Sequence, residues 1–249
     1  MPVMDEFKEE REALKHGTLK QKLTYFADYY KWHVVIAVIA LYIIISFVVH
    51  ALTRKETALN VCLVNTLALG AEDYITDFAE FANIDLDSQE LIFDTSISIQ
   101  EGVMDEASMA SSQKLLVYIA AGELDVMVTD TETIKLYTNN DFFCDLREFL
   151  TPEQTERYEP YFYYIDMKAV QELQEAIDNF DETYVPSYPD PRKPDEMEQP
   201  VPIGIYLNES EGFIDNFFFS TEDVILAVLQ NTKRPETTRQ FIDYVMAEP

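Results

Sequence analysis

The chain has 249 residues, 47% of them hydrophobic, with 46 acidic against 18 basic side chains and a net charge of −28 at pH 7. So much apolar content excludes a wholly disordered chain. The negative field repels phosphate backbones, which excludes nucleic acid as a partner.

The acidity is uneven. Before residue 34, six basic residues (Lys8, Arg11, Lys15, Lys20, Lys22, Lys31) balance six acidic ones, whereas from Glu56 onward ten basic residues face forty acidic ones. Residues 1–33 read as a cytoplasmic tail followed by an interfacial amphipathic helix. Leu19, Leu23, Phe26 and Tyr30 recur at helical spacing, and Tyr25, Tyr29 and Trp32 supply rings suited to the head-group level. The alternative to this reading is a docking helix for a cytoplasmic or membrane partner. Residues 34–52 follow as a transmembrane helix, since Val34 to Val49 carries no charge and the extended run reaches about twenty residues. The long polar lead and the lack of a small-x-small site argue for an uncleaved anchor over a signal peptide. Only Arg54 and Lys55 follow closely, with Lys114 the next cation. The positive-inside rule then places the N-terminus in the cytoplasm and the C-terminal domain outside the cell.

After a linker over 53–58, residues 59–249 read as an extracytoplasmic α/β domain. Leu59 to Asn65 is a buried strand, Ala71 to Ile84 a helix, Glu90 to Ile97 a second strand, Met104 to Ala121 a second helix, and Leu124 to Val128 a third strand. Strand, helix, strand, helix, strand predicts an open, largely parallel sheet with crossover helices. Thr131 to Thr138 is a short helix candidate, Tyr161 to Ile165 has strand propensity, and Met167 to Phe180 is an amphipathic helix. Asp181 to Pro202 holds six prolines and no periodicity, and reads as an exposed loop or flap. Val201 to Leu207 and Val224 to Gln230 are strands, and Pro235 to Ala247 a closing helix with proline in its first turn.

Several segments resemble extracellular solute-binding proteins of the type 2 periplasmic-binding fold: AGELDVMVTD (Ala121 to Asp130), FFCDLREFL (Phe142 to Leu150) and VILAVLQNTKRPETTRQFIDYVM (Val224 to Met246). The aromatic stretch YFADYYKWH before the apolar run is similar to anchored proteins of Gram-positive anaerobic bacteria. The resemblance implies a binding protein with two lobes around a cleft. Here only residues 153–200 are left for a second lobe, which implies a diminished one. A transmembrane tether is a further departure from the family's usual lipid anchor.

In an open α/β sheet, ligands sit beyond the carboxyl ends of the parallel strands. The polar residues expected there are Asn65, Thr66, Thr95, Ser96, Thr129 and Asp130, suited to hydrogen bonds with a small polar ligand. The same residue types also serve as caps and turns. Tyr163 and Tyr164 could stack on a sugar or a base. All three histidines (His16, His33, His50) precede residue 51, so the outer domain lacks the commonest general base. Cys62 and Cys144 are too few for a zinc site and could form one disulfide or be buried apolar residues. The acidic groups Asp85, Asp87, Glu90 and Asp195, Glu196, Glu198 lack the spacing of a calcium loop. With no nucleophile, zinc or phosphate motif, the reading is a non-enzymatic module without a cofactor. Its partners are the bilayer, through residues 34–52, and a small polar ligand. The alternative is an envelope adaptor on the same scaffold, with a membrane protein as its partner.

Overall fold

The computed structural model describes residues 18–99, 106–138, 141–181 and 183–247, with backbone alone at 19, 21–30, 51 and 52. The tail over residues 1–17 and the side chains of Tyr25, Phe26, Tyr29 and Tyr30 fall outside the described set, whereas Trp32 is described and exposed. Contacts divide the chain into two compact units, Met1–Arg54 and Lys55–Pro249.

In the first unit, helix α1 (Leu19–Thr53) runs 35 residues without a break. No proline or glycine interrupts it, so the stretch expected to turn at the interface continues into the apolar run as one helix. Within it Lys31–His50, 20 residues, is long and apolar enough to cross a membrane, and none of it is buried. A signal sequence has the same properties.

The second unit is a three-layer α/β/α sandwich. Its elements are β1 (Glu56–Leu63), β2 (Thr66–Ala68), α2 (Glu72–Phe81), β3 (Gln89–Asp94), α3 (Glu106–Ala120), β4 (Val126–Asp130), α4 (Thr131–Tyr137), α5 (Leu146–Phe149) and α6 (Pro152–Tyr158). They are followed by β5 (Phe162–Asp166), α7 (Met167–Asp178), β6 (Pro200–Tyr206), α8 (Glu211–Asn216), β7 (Phe217–Phe219), β8 (Val224–Val228) and α9 (Pro235–Ala247). Six strands form one sheet in the order β3-β1-β4-β8-β6-β5, and β2 pairs with β7 in a small ribbon. β3, β1 and β4 are parallel, as their helical crossovers require. β8 is antiparallel to both β4 and β6, and β5 is antiparallel to β6. Four of the six strands therefore share a direction, and the sheet is mixed.

Side chains alternate across the sheet, so each face has its own core. Leu59, Val61, Leu63, Val126, Val128, Leu226 and Val228 face α2 and α9, through Tyr74, Phe78, Phe241 and Val245. Cys62, Met127, Ile225 and Ala227 face α3, α4 and α7, through Leu115, Ile119, Ile134 and Val170. The two cysteines belong to opposite cores and are free and buried, and burial pushes each thiol up to about 12. No disulfide joins them.

Residues 153–200 do not build a second lobe. The apolar run at Phe162–Ile165 pairs with β6 and becomes the sheet's edge, and α7 packs beside it. The proline-rich segment that follows lies along that edge, where Tyr164 N donates to Pro191 O at 3.0 Å. It then runs into β6, with Met167 N donating to Gln199 O at 3.0 Å as the β5–β6 pairing begins. Asp166 ties the start of α7 to the end of this strap, accepting from the backbone of Lys168, Glu198 and Gln199. Burial works to raise the Asp166 carboxyl, and these backbone donors outweigh it, leaving it below the usual carboxylate range. Proline supplies no donor, which suits a covering strand.

Gly204, in β6, permits close passage of β8. A Cβ at this position would lie 2.5 Å from Ile225 Cγ2 and 3.1 Å from the Leu226 carbonyl oxygen. Gly204→Ala is expected to cost about 1–3 kcal/mol through overpacking, read from urea unfolding of residues 55–249. An unchanged midpoint would show that the strands can separate without loss.

Candidate functional site

Topology opens a crevice at one end of the sheet. The chain leaves β1 toward the α2 face, and leaves β3 and β4 toward the α3 and α4 face. This divergence follows from handedness. The path runs from β1 outward to β3 and then back across β1 to β4, so its two crossover helices must lie on opposite faces to keep the same hand. The loops beyond neighbouring strands β1 and β4 are thus drawn apart.

A cleft of about 600 Å³ fills this gap. Its walls come from Asn65, Thr66 and Leu67 after β1, Thr95 and Ile97–Ile99 after β3, and Asp130, Glu132, Thr133 and Leu136 at the start of α4. Ser220 and Thr221, just before β8, close the remaining side. Among the described residues two carboxylates and no cation line it, so the cleft disfavours anions.

Of the six residues expected at the strand ends, the structure brings Asn65, Thr66, Thr95 and Asp130 together in this cleft. Asn65 adopts a left-handed φ of 58°, which asparagine tolerates better than most residues. Its carboxamide spans the gap. Oδ1 accepts from Ile99 N at 2.8 Å and from the Ser98 hydroxyl at 3.3 Å, and Nδ2 donates to Ile99 O at 2.8 Å and to Asp130 Oδ2 at 3.4 Å. Asp130 caps α4, accepting from Thr133 N at 2.7 Å and from the Thr133 hydroxyl at 3.0 Å. Thr66 Oγ1 donates to Val64 O at 3.1 Å. These three side chains spend their polar atoms on the walls. Groups at the opening are more available: Ser98, Glu132, Ser220 and Thr221 are exposed and Thr95 is half-buried.

Ser96 and Thr129 are not brought to the cleft. Lys114 Nζ donates to the Ser96 hydroxyl and to Asp94 Oδ2, each at 2.7 Å, which anchors the loop to α3. Burial works to raise the Asp94 carboxyl, and hydrogen bonds from Lys114 and Ser96 outweigh it, leaving it below its ordinary value. Thr129 lies within β4, opposite Ile225, on the face toward α3, α4 and α7. Its hydroxyl is buried without a hydrogen-bond partner among the described residues.

The tyrosines lie elsewhere. Tyr163 is buried on the α7 side, with its phenol pushed far up by burial, and Tyr164 lines a separate groove near β5. Asp85 accepts from Asp87 N and the Ser88 hydroxyl, the pattern of a turn. Among the described residues no three His, Cys, Asp or Glu side chains are placed to hold a metal ion. Ser220 and Thr221 were not expected from the sequence. No local motif marks them, and only the reversed direction of β8 delivers them to this end.

No family model matches the chain, and no curated protein matches it. Among solved structures it is similar to a domain described as the substrate-binding domain of a molybdenum ABC transporter from Clostridium difficile. The identity is 9%, the match covers 77% of this chain and 93% of that one, and the TM-score is 0.31.

Proposed function

We propose that the chain is a membrane-tethered, extracytoplasmic binding module, and that its strand-end cleft takes a small polar ligand that is neutral or positively charged. The observation that carries this reading is the position of the cleft: about 600 Å³ at the point where the crossovers change face. Open α/β sheets bind ligands at such a switch point, and the volume lies in the usual range for small-molecule sites. The charge of the lining sets the ligand class. Among the described residues Asp130 and Glu132 stand in the wall without a lysine or arginine, so an oxyanion such as phosphate or molybdate would enter against the field.

Within this reading Thr95, Ser98, Ser220, Thr221 and Glu132 contact the ligand, while Asn65, Thr66 and Asp130 hold the walls. Lys31–His50 is the anchor, and the cations before it keep the N-terminus in the cytoplasm. No catalytic step is part of the proposal.

One observation favours a second reading, an adaptor for a partner membrane protein. No described residue of 153–200 lines the cleft, so among the described residues no second wall closes over a ligand.

Thermal unfolding of residues 55–249 against neutral sugars, amino acids, polyamines and short cationic peptides separates the two, with phosphate and molybdate as anionic controls. A ligand at a hundred times its Kd should add about 2.7 kcal/mol. For a domain of this size that raises Tm by roughly 5–10 °C. Ser220→Trp, at an exposed position on the cleft wall, should abolish the shift without lowering the unliganded midpoint. A shift with the anions alone would overturn the charge argument, and silence across the panel would favour the adaptor.

A further inference from the structure

A groove that shares no residue with the cleft lies along the β5–β6 half of the sheet. One hollow of about 730 Å³ is lined by Tyr161, Tyr164, Arg192, Asn208 and Glu209, among others. A second hollow of about 420 Å³ adjoins it, reaching Arg157 and Met246, and Tyr161, Tyr206 and Glu209 line both. The result is an elongated trough with aromatic walls.

Its chemistry narrows the occupant. Tyr161 and Tyr164 are half-buried, and so keep part of their rings at the surface. Arg192 lies over the Tyr206 ring at 4.1 Å and is held there by Asp223 at 2.6 and 3.2 Å, so this wall is set before any ligand arrives. Both arginines are already paired, Arg192 with Asp223 and Arg157 with Glu153. Glu159 and Glu209 then leave the trough net negative, which turns away sulfated or phosphorylated polymers. A peptide adding as a strand is also disfavoured, because the strap lies on the outer edge of β5, where Pro191 O accepts from Tyr164 N. What remains is a ligand with apolar C–H faces for the rings, a rim of hydroxyls for the carboxylates and arginine N–H groups, and a length of several units.

We propose that this trough is a second binding site, for a chain of neutral sugar rings. It does not depend on the cleft having a ligand.

The test uses the full chain in lipid nanodiscs, with titration calorimetry against cellohexaose, maltohexaose and N,N′,N″,N‴-tetraacetylchitotetraose. At least one should bind saturably. Tyr161→Ala and Tyr164→Ala should each weaken it about tenfold, tyrosine to phenylalanine should restore most of the affinity, and Ser220→Trp should leave it unchanged. Glu209→Ala, at an exposed position, gives an independent reading if an alanine variant of tyrosine lowers the unfolding midpoint, and is expected to weaken binding severalfold. The proposal is overturned if none of the three saccharides binds. It is also overturned if binding survives the Tyr161, Tyr164 and Glu209 changes, or is lost with Ser220→Trp. Tyrosine-dependent binding of polyglycerol phosphate or a proline-rich peptide, in place of the saccharides, would overturn it as well.

Discussion

Arg234→Ala is expected to destabilise residues 55–249 by about 3–5 kcal/mol, a large share of the stability of a domain this size. Arg234 precedes α9 and reaches under the sheet to Asp125, which is fully buried just before β4. Nη1 donates to Asp125 Oδ2 at 2.7 Å and Nε to Thr57 O at 2.8 Å. The Thr232 hydroxyl and Asn60 N donate to the same carboxylate at 2.6 and 2.8 Å. Removing the guanidinium leaves a buried anion with two neutral donors. The double variant Asp125→Ala, Arg234→Ala is not expected to recover stability, because Asn60 N and Thr232 would then lose their acceptor. Urea unfolding followed by far-ultraviolet circular dichroism reads both. A loss below about 1 kcal/mol for Arg234→Ala would mean that water replaces the guanidinium at the carboxylate.

Phe241→Ala should cost a similar amount, about 3–5 kcal/mol, for a different reason. Phe241 is fully buried in α9, and its ring meets Phe78 at 5.2 Å, Phe93 at 5.6 Å and Phe213 at 6.4 Å. Rings from α2, β3, α8 and α9 thus meet at one residue. Truncation leaves a cavity that four separate elements would have to move to fill. Phe180 supplies the contrast: it is 90% exposed, and Phe180→Ala should stay within about 0.5 kcal/mol. Equal losses at the two positions would show that the four-ring cluster contributes nothing beyond the bulk of one side chain.

The parallel half of the sheet was legible because hydrophobic period and chain direction are linked there. A strand, a crossover helix with short connections and another strand return in parallel, and β1, β3 and β4 do. β5, β6 and β8 were recognised as strands, but their direction depends on what lies between them. α7 and then the proline-rich strap lie between β5 and β6, and the strap turns the chain back antiparallel, while α8 with β7 separates β6 from β8. α8 and β7 are too short to leave a periodic signature. α6 was missed although its signal was present: Thr151 and Gln154 form a reciprocal capping box ahead of Pro152–Tyr158.

The candidate site shows the same division. Reading β4 as ending at Val128 placed Thr129 beyond the strand. The strand in fact continues to Asp130, and parity turns Thr129 toward the other layer. Ser96 was exchanged for Ser98 because the loop after β3 is held by Asn65, whose backbone N–H donates to Ile97 O at 3.0 Å and whose side chain binds Ser98 and Ile99. Such long-range partners leave no local trace in the chain.

The division of labour around Asn65 and Asp130 bears on how specificity can change. Those two side chains maintain the scaffold, and altering either trades recognition against folding. Among the described residues the side chains of Thr95, Ser98, Ser220 and Thr221 carry no such obligation to helix caps or loop anchors beyond one bond each at most. Substitutions there can redraw what the opening accepts while the framework stays intact, so related chains are expected to diverge at the mouth before they diverge at the hinge of the loops.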